Sequence, residues 1–207
     1  MTGRDALKTT ENANLTAVNK SLRRSCVRPK NETEARKAEA EQKAVDIKFM
    51  KKALAQAKCA ARLGEVPIGC VIVHDGEVVG RGFNKRNTKK TTLAHAEITA
   101  IDRASRKLGD WRLEGCTMYV TLEPCQMCAG AIVQSRIDRV VIGAMNPKAG
   151  CAGSIFNLLD RPEFNHRVAI TYDVCGDLST EILQMFFKNL RERLRAEKEG
   201  RNEDGRV

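Results

Sequence analysis

The sequence predicts an α/β sandwich, with helices packed on both faces of one sheet. Three observations predict it. Helical and strand-like apolar patterns follow one another in the order helix, hairpin, helix, strand, helix, strand, strand, helix. Asp75-Gly76 separates two short apolar runs, a strong signal for a two-residue hairpin. Hydrophobic residues make up 42% of 207, enough to bury a core of useful size.

Each element has a local reason. Residues 1–45 are polar and nearly free of large apolar side chains. Within them, 9–31 has no clear apolar period, and 32–43 is rich in Ala, Glu and Lys and could form a marginal, solvated helix. The expectation for 1–45 is a basic, largely disordered extension. Order is expected from Asp46, where Ile47, Met50, Leu54, Ala57 and Ala61 fall at helical spacing and Gly64 supplies a stop. Residues 70–73 and 77–79 are the hairpin strands, and 84–92 a polar loop. The stretch 94–108 reads as a helix ended by Gly109, and 117–122 as a strand ended by Pro124. Then come a helix over 125–135, a buried strand over 139–142 and a long loop from 143 to about 153. A last strand is expected over 167–172, and an amphipathic helix with a charged end from 178 to about 198. One domain is therefore expected over 46–198, followed by a charged tail, 199–207.

Charge and cysteine usage bound the function. The formal net charge is +10, which draws a protein toward polyanions, nucleic acid being the commonest. A solvated basic face would give the same number. Residues 1–45 hold ten Lys/Arg against six Asp/Glu and would add nonspecific attraction to phosphate. No apolar run approaches the ~20 residues of a membrane span. The first residues lack the apolar stretch of a secretory signal, and Asp5 and Glu11 argue against a transit peptide. The reading is cytoplasmic. In that compartment the eight cysteines are expected to be reduced thiols with one metal site among them, not a disulfide framework.

Three short pieces carry chemistry: His95-Ala96-Glu97, Pro124-Cys125, and Cys128. Cys125 and Cys128, three apart at a helix start, share a face, and a helix N-terminus stabilises thiolates. His95 can add a neutral imidazole, giving three ligands of the type zinc prefers. A structural zinc site is usually closed by four protein ligands, whereas three leave a position for water whose pKa zinc lowers toward ~7. Glu97, not itself a ligand, is placed to shuttle protons. Taken alone, Cys-x-x-Cys is as often a redox motif or half of a structural zinc site, and His-x-Glu is usually a solvated helix start. Cys116 or Cys151 as a fourth ligand would make the site structural. The combination H-x-E…P-C-x-x-C is the known signature of zinc nucleobase deaminases, and it is this whole pattern, rather than any one spacing, that carries the chemistry.

Beyond the metal motif, 65–69 (Glu-Val-Pro-Ile-Gly), 121–131 (Thr-Leu-Glu-Pro-Cys-Gln-Met-Cys-Ala-Gly-Ala), 150–154 (Gly-Cys-Ala-Gly-Ser) and 164–168 (Phe-Asn-His-Arg-Val) resemble the bacterial tRNA-specific adenosine deaminases. The resemblance runs from about Asp46 to about Leu190. It implies a cytidine-deaminase-like three-layer α/β/α sandwich with a central mixed five-stranded sheet. It also implies a homodimer with one Zn2+ per subunit, and hydrolysis of adenosine to inosine at the first anticodon position of a tRNA, usually an arginine tRNA with an ACG anticodon. By resemblance His95, Cys125 and Cys128 hold the zinc and Glu97 moves the protons. Asn84, Asn146, Lys148 and Phe187 would meet the anticodon stem-loop. Without the resemblance, Asn84 reads equally as a turn residue and Lys148 as a solvated lysine, while Phe186 and Phe187 read as core packing for at least one of them or as stacking near a splayed base. Asn146 departs from the family, many members of which have aspartate there, so the contact to a ribose 2′-hydroxyl is expected to change. Two rivals stay open: a deaminase of a free base or nucleoside such as guanine or cytosine, and a noncatalytic protein with a structural zinc.

Overall fold

The computed structural model describes residues 32–204. Most of the expected extension, residues 1–31, lies outside the described residues, as do 205–207 at the end of the tail. The chain divides into two compact units, 1–42 and 43–207. In the first, the described residues form an almost wholly exposed helical stretch with an ion pair between Lys37 and Glu41 at 4.0 Å. This stretch is the start of helix α1 (Glu32–Arg62), which begins well before Asp46. Residues 32–45 have strong helix formers but no apolar stripe, so apolar spacing alone places the start too late.

The second unit has the expected architecture. Its elements are the rest of α1, β1 (Gly69–His74), β2 (Glu77–Phe83), a one-turn α2 (Arg86–Lys89), α3 (Ala96–Leu108), β3 (Thr117–Leu122), α4 (Gln126–Gln134), β4 (Arg139–Ala144), β5 (Ala169–Thr171) and α5 (Gly176–Asp204). The sheet is five-stranded in the order β2-β1-β3-β4-β5. β1 pairs antiparallel with β2 and β3, whereas β3–β4 and β4–β5 are parallel, so the sheet is mixed. The Asp75-Gly76 turn has φ of 48° and 76°, as a type I′ hairpin requires.

Strand periodicity sorts the core into two layers. Val71, Val73, Tyr119 and Val141 face one side, against Phe49, Met50, Ala53 and Leu54 of α1. Ile72, Met118, Val120, Val140 and Ile142 face the other, against Ala96, Ala100 and Ala104 of α3 and Ala129, Ile132 and Val133 of α4. The buried stripe of α1 runs through Asp46, Phe49, Met50, Ala53, Leu54, Ala57 and Ala60. It is turned slightly from the expected one, and Ile47 and Ala61 are only half-buried. α3 lies close on β2 because Gly82 has no side chain: a Cβ there would run into the carbonyl oxygen of Ala96.

One polar network ties α1 to the sheet. Arg139 grips buried Asp46 with two bonds, at 2.9 and 2.6 Å, and Tyr119 donates its hydroxyl to the same carboxylate at 3.0 Å. Thr171 holds the guanidinium from β5 at 2.8 Å. Replacing Asp46 with alanine leaves Arg139 without this partner in a mostly buried position. The expected loss is about 3 kcal/mol of stability, read as a lower urea midpoint at an unchanged slope.

Candidate active site

The parallel strands β3 and β4 point their carboxyl ends at one edge of the sheet, where α/β folds usually bind ligands. Residues 123–125 follow β3 there, and 145–148 follow β4. β2 ends nearby: Lys85 donates its N–H to the Ala94 carbonyl, one residue before His95, at 2.9 Å.

His95 and Cys125 occupy equivalent places. Each is the cap residue of a helix, with extended backbone (φ −73°, ψ 156° for His95; φ −74°, ψ 174° for Cys125), and neither side chain caps its own helix. Both side chains are therefore free to turn toward the gap between the helix starts. Cys128, buried in the first turn of α4, completes the set. His95 Nδ1 lies 3.8 Å from Cys125 Sγ and 3.4 Å from Cys128 Sγ. Tetrahedral zinc with ordinary Zn–N and Zn–S bonds would hold such atoms about 3.6 Å apart. The residues thus fit a zinc ion in both donor type and spacing. Among the described residues they form the one cluster of three or more metal-ligating groups, and neither Cys116 nor Cys151 joins it.

The electrostatics split the site: Cys125 and His95 are drawn toward their charged forms, Cys128 and Glu97 toward their neutral ones. The hydrogen bond from the Cys128 thiol, helped by His95 and the α4 backbone, outweighs burial and brings the Cys125 thiol down to about 4. Cys128, which gives that bond and is buried, is pushed far up. The bond to Cys125, helped by Glu97, raises His95 against its burial. Glu97 is 4% exposed on the first turn of α3. Burial pushes its carboxyl up, and its own backbone N–H and His95 only partly offset this. A buried carboxyl beside a metal-ligating cluster, and outside it, is suited to taking and giving protons.

Two further buried carboxylates flank the site, and residue patterns alone did not single them out. Glu65 accepts the Thr88 N–H at 2.5 Å and the Asn84 amide at 3.4 Å, fixing the turn that leads into α2. Glu123 accepts four bonds from the loop after β4, described below. The signal for both was weak: each lies inside a stretch that resembles a family motif, but buried and solvated acids look alike in sequence.

The other expected site residues fall in two places. Asn84 is buried just after β2, its amide donating to Glu65 and to the Val66 carbonyl at 3.3 Å and accepting the Arg86 N–H at 3.3 Å. Its Oδ1, with two lone pairs, uses one of them on the Arg86 N–H. Lys148 and Phe187 line a common pocket of about 440 Å³, together with Met145 and Arg191. Asn146 lies at the start of the same loop, half-buried, its N–H given to Glu123. Phe186 is half-buried and meets Phe187 edge-on, with centroids 5.4 Å apart.

Burial raises the Glu65 carboxyl, but hydrogen bonds from Thr88 and Asn87 outweigh it and hold it below its ordinary value. A depressed folded-state pKa contributes stability that is present above the unfolded value and lost as pH falls through the folded one. The melting temperature should therefore drop as pH falls below about 5, and the drop should be shallower in Glu65→Gln, measured by calorimetry.

Comparison with known proteins gives a consistent result. A family model described as MafB19-like deaminase matches residues 45–191. A tRNA-specific adenosine deaminase of Bacillus subtilis (strain 168) is 47% identical over 158 residues, 76% of this chain and 98% of that one. The protein of the same description from Aquifex aeolicus (strain VF5) is 48% identical over 143 residues, 69% of this chain and 94% of that one. A solved structure from studies of A-to-I editing by tRNA:A34 deaminases at the wobble position superposes with a TM-score of 0.63. It is 42% identical and covers 65% of this chain and 98% of that one.

Proposed function

We propose a reaction from one premise: this chain belongs to the tRNA-specific adenosine deaminase family. The reaction is hydrolytic deamination of adenosine to inosine at the wobble position of a tRNA, with release of ammonia. The observation that carries it is the convergence of His95 Nδ1, Cys125 Sγ and Cys128 Sγ within 4.8 Å of one another, beside buried Glu97.

These three side chains would hold one zinc ion, whose chemistry would be to make a water acidic enough to attack at neutral pH. Glu97 takes a proton from the attacking water on a carboxylate oxygen and passes it to the ring nitrogen. It then takes the second proton, from the newly added hydroxyl, and gives it to the amino group as the carbon–nitrogen bond breaks, so that ammonia leaves. Asn84 uses its open lone pair to accept from the nucleoside. Lys148 pairs with a phosphate, and Phe187 offers a ring face to a splayed base. Asn146 contacts the ribose. Residues 46–198 are the catalytic domain, 1–45 a basic extension that adds phosphate attraction, and 199–207 a charged tail.

The substrate is the anticodon stem-loop of an arginine tRNA with an ACG anticodon, and the enzyme is a cytoplasmic homodimer. No helix among the described residues is long and apolar enough to cross a membrane. The test is inosine formation on that stem-loop, run beside free adenosine, guanine and cytosine. Inosine at the first anticodon position alone is the expected result. Deamination of a free base instead would keep the chemistry and overturn the substrate.

A further inference from the structure

We propose that Glu123 is a positioning residue: its carboxylate locks the substrate-facing loop 146–154 onto the turn that carries Cys125. The inference rests on the function proposed above. Glu123 is 2% exposed and is neither a member of the metal-ligating cluster nor a group the reaction uses. One oxygen, Oε2, accepts the N–H of Asn146 at 2.8 Å and the hydroxyl of Ser154. The other, Oε1, accepts the N–H groups of Ala152 and Ser154, both at 2.9 Å. One carboxylate therefore closes the loop at both ends.

The middle of the loop is tied to the metal turn directly. Cys151 donates its N–H to the Pro124 carbonyl at 2.8 Å, and Gly150 pairs with Cys125 as an antiparallel bridge. The fit is close: a Cβ at Gly150 would collide with the Glu123 carboxylate. Asn146 turns the chain by accepting the Gly150 N–H at 2.8 Å, which leaves Lys148 exposed at the loop's tip. Lys148 is thus held relative to the reacting centre from two sides, by Glu123 through Asn146 and by the Gly150–Cys125 bridge. Four donors on two oxygens require an acceptor-only group. Whichever way a glutamine amide turns, its NH2 faces at least one backbone N–H, and one end of the loop is released.

The experiment compares Glu123→Gln with wild type on the anticodon stem-loop, together with zinc content and hydrogen exchange of the loop amides. The expected result is a KM raised about tenfold or more, kcat within about threefold, and zinc unchanged. The amide of 146 at one end of the loop, or those of 152 and 154 at the other, should exchange faster. An unchanged KM, or loss of zinc together with activity, would overturn the proposal. If Glu123→Gln does not fold, Ser154→Ala decides, since it removes a single side-chain donor. A KM raised about threefold supports the anchor, and an unchanged KM overturns it. If wild type makes no inosine on the stem-loop, the functional reading fails instead, and the exchange rates alone test the anchor.

Discussion

In a Glu97→Gln variant, metal content stays at the wild-type level and inosine formation falls by about a thousandfold or more. Glutamine matches glutamate in volume, so the packing of α3 on β2 through Ala96 and Ala100 is kept. The amide cannot accept a proton from the attacking water or deliver one to the ring nitrogen or the amine. Glu97 shares its helix start with His95, but the substitution changes only a side chain outside the ligand set, so the cluster keeps its ligands. The loss should sit in kcat, with KM little changed, because Glu97 serves the reacting atoms and not the anticodon loop. Turnover within tenfold of wild type would remove Glu97 from the reaction. A parallel loss of zinc would make it a structural residue of the metal site.

The parts of this fold that could be read in advance are those with a local cause. The Asp75-Gly76 turn needs positive φ at two adjacent residues, and its sequence supplies it. The alternating residues of β1 and β3 specify their two faces, and α3 ends at Gly109 as expected. The chemistry of the site was legible for a similar reason: its ligands lie in two short segments, each at a helix start. Both helices begin slightly later than apolar spacing suggests, at Ala96 and Gln126. That shift leaves His95 and Cys125 on extended cap residues, where their side chains can turn away from their own helices.

What could not be read depends on partners distant in sequence. Asp46 and Arg139 lie 93 residues apart, and nothing near Asp46 marks it as a buried anchor for β4. The early start of α1 has no apolar stripe, and only its Ala, Glu and Lys content, which reads as a marginal helix over 32–43, announces it. Glu65 and Glu123 carry the same side chain as many solvated acids in this chain. Only the backbone N–H groups that the fold brings to them, from Thr88 and from Asn146, Ala152 and Ser154, distinguish them. β5 is shorter than expected, Ala169–Thr171, and pairs only with Arg139–Val141 of β4.

Removing one ligand should have the second large effect, on metal and activity together. In Cys128→Ala, zinc affinity falls by more than the roughly hundredfold that loss of an outer-shell partner costs, and inosine formation is lost with it. Cys128 is fully buried in the first turn of α4, but alanine fits that turn, so the chain still folds without the ion. Wild type stripped by a chelator should regain activity when zinc is returned, whereas the variant should not. Cys116→Ala and Cys151→Ala complete the argument. Cys116 packs against Leu113 and Met118 in the core, and the Cys151 thiol reaches the Ala149 carbonyl at 3.7 Å. Both variants should keep one zinc per chain, measured by elemental analysis after dialysis. If either loses it, four protein ligands close the site, no position is left for water, and the metal's role is structural.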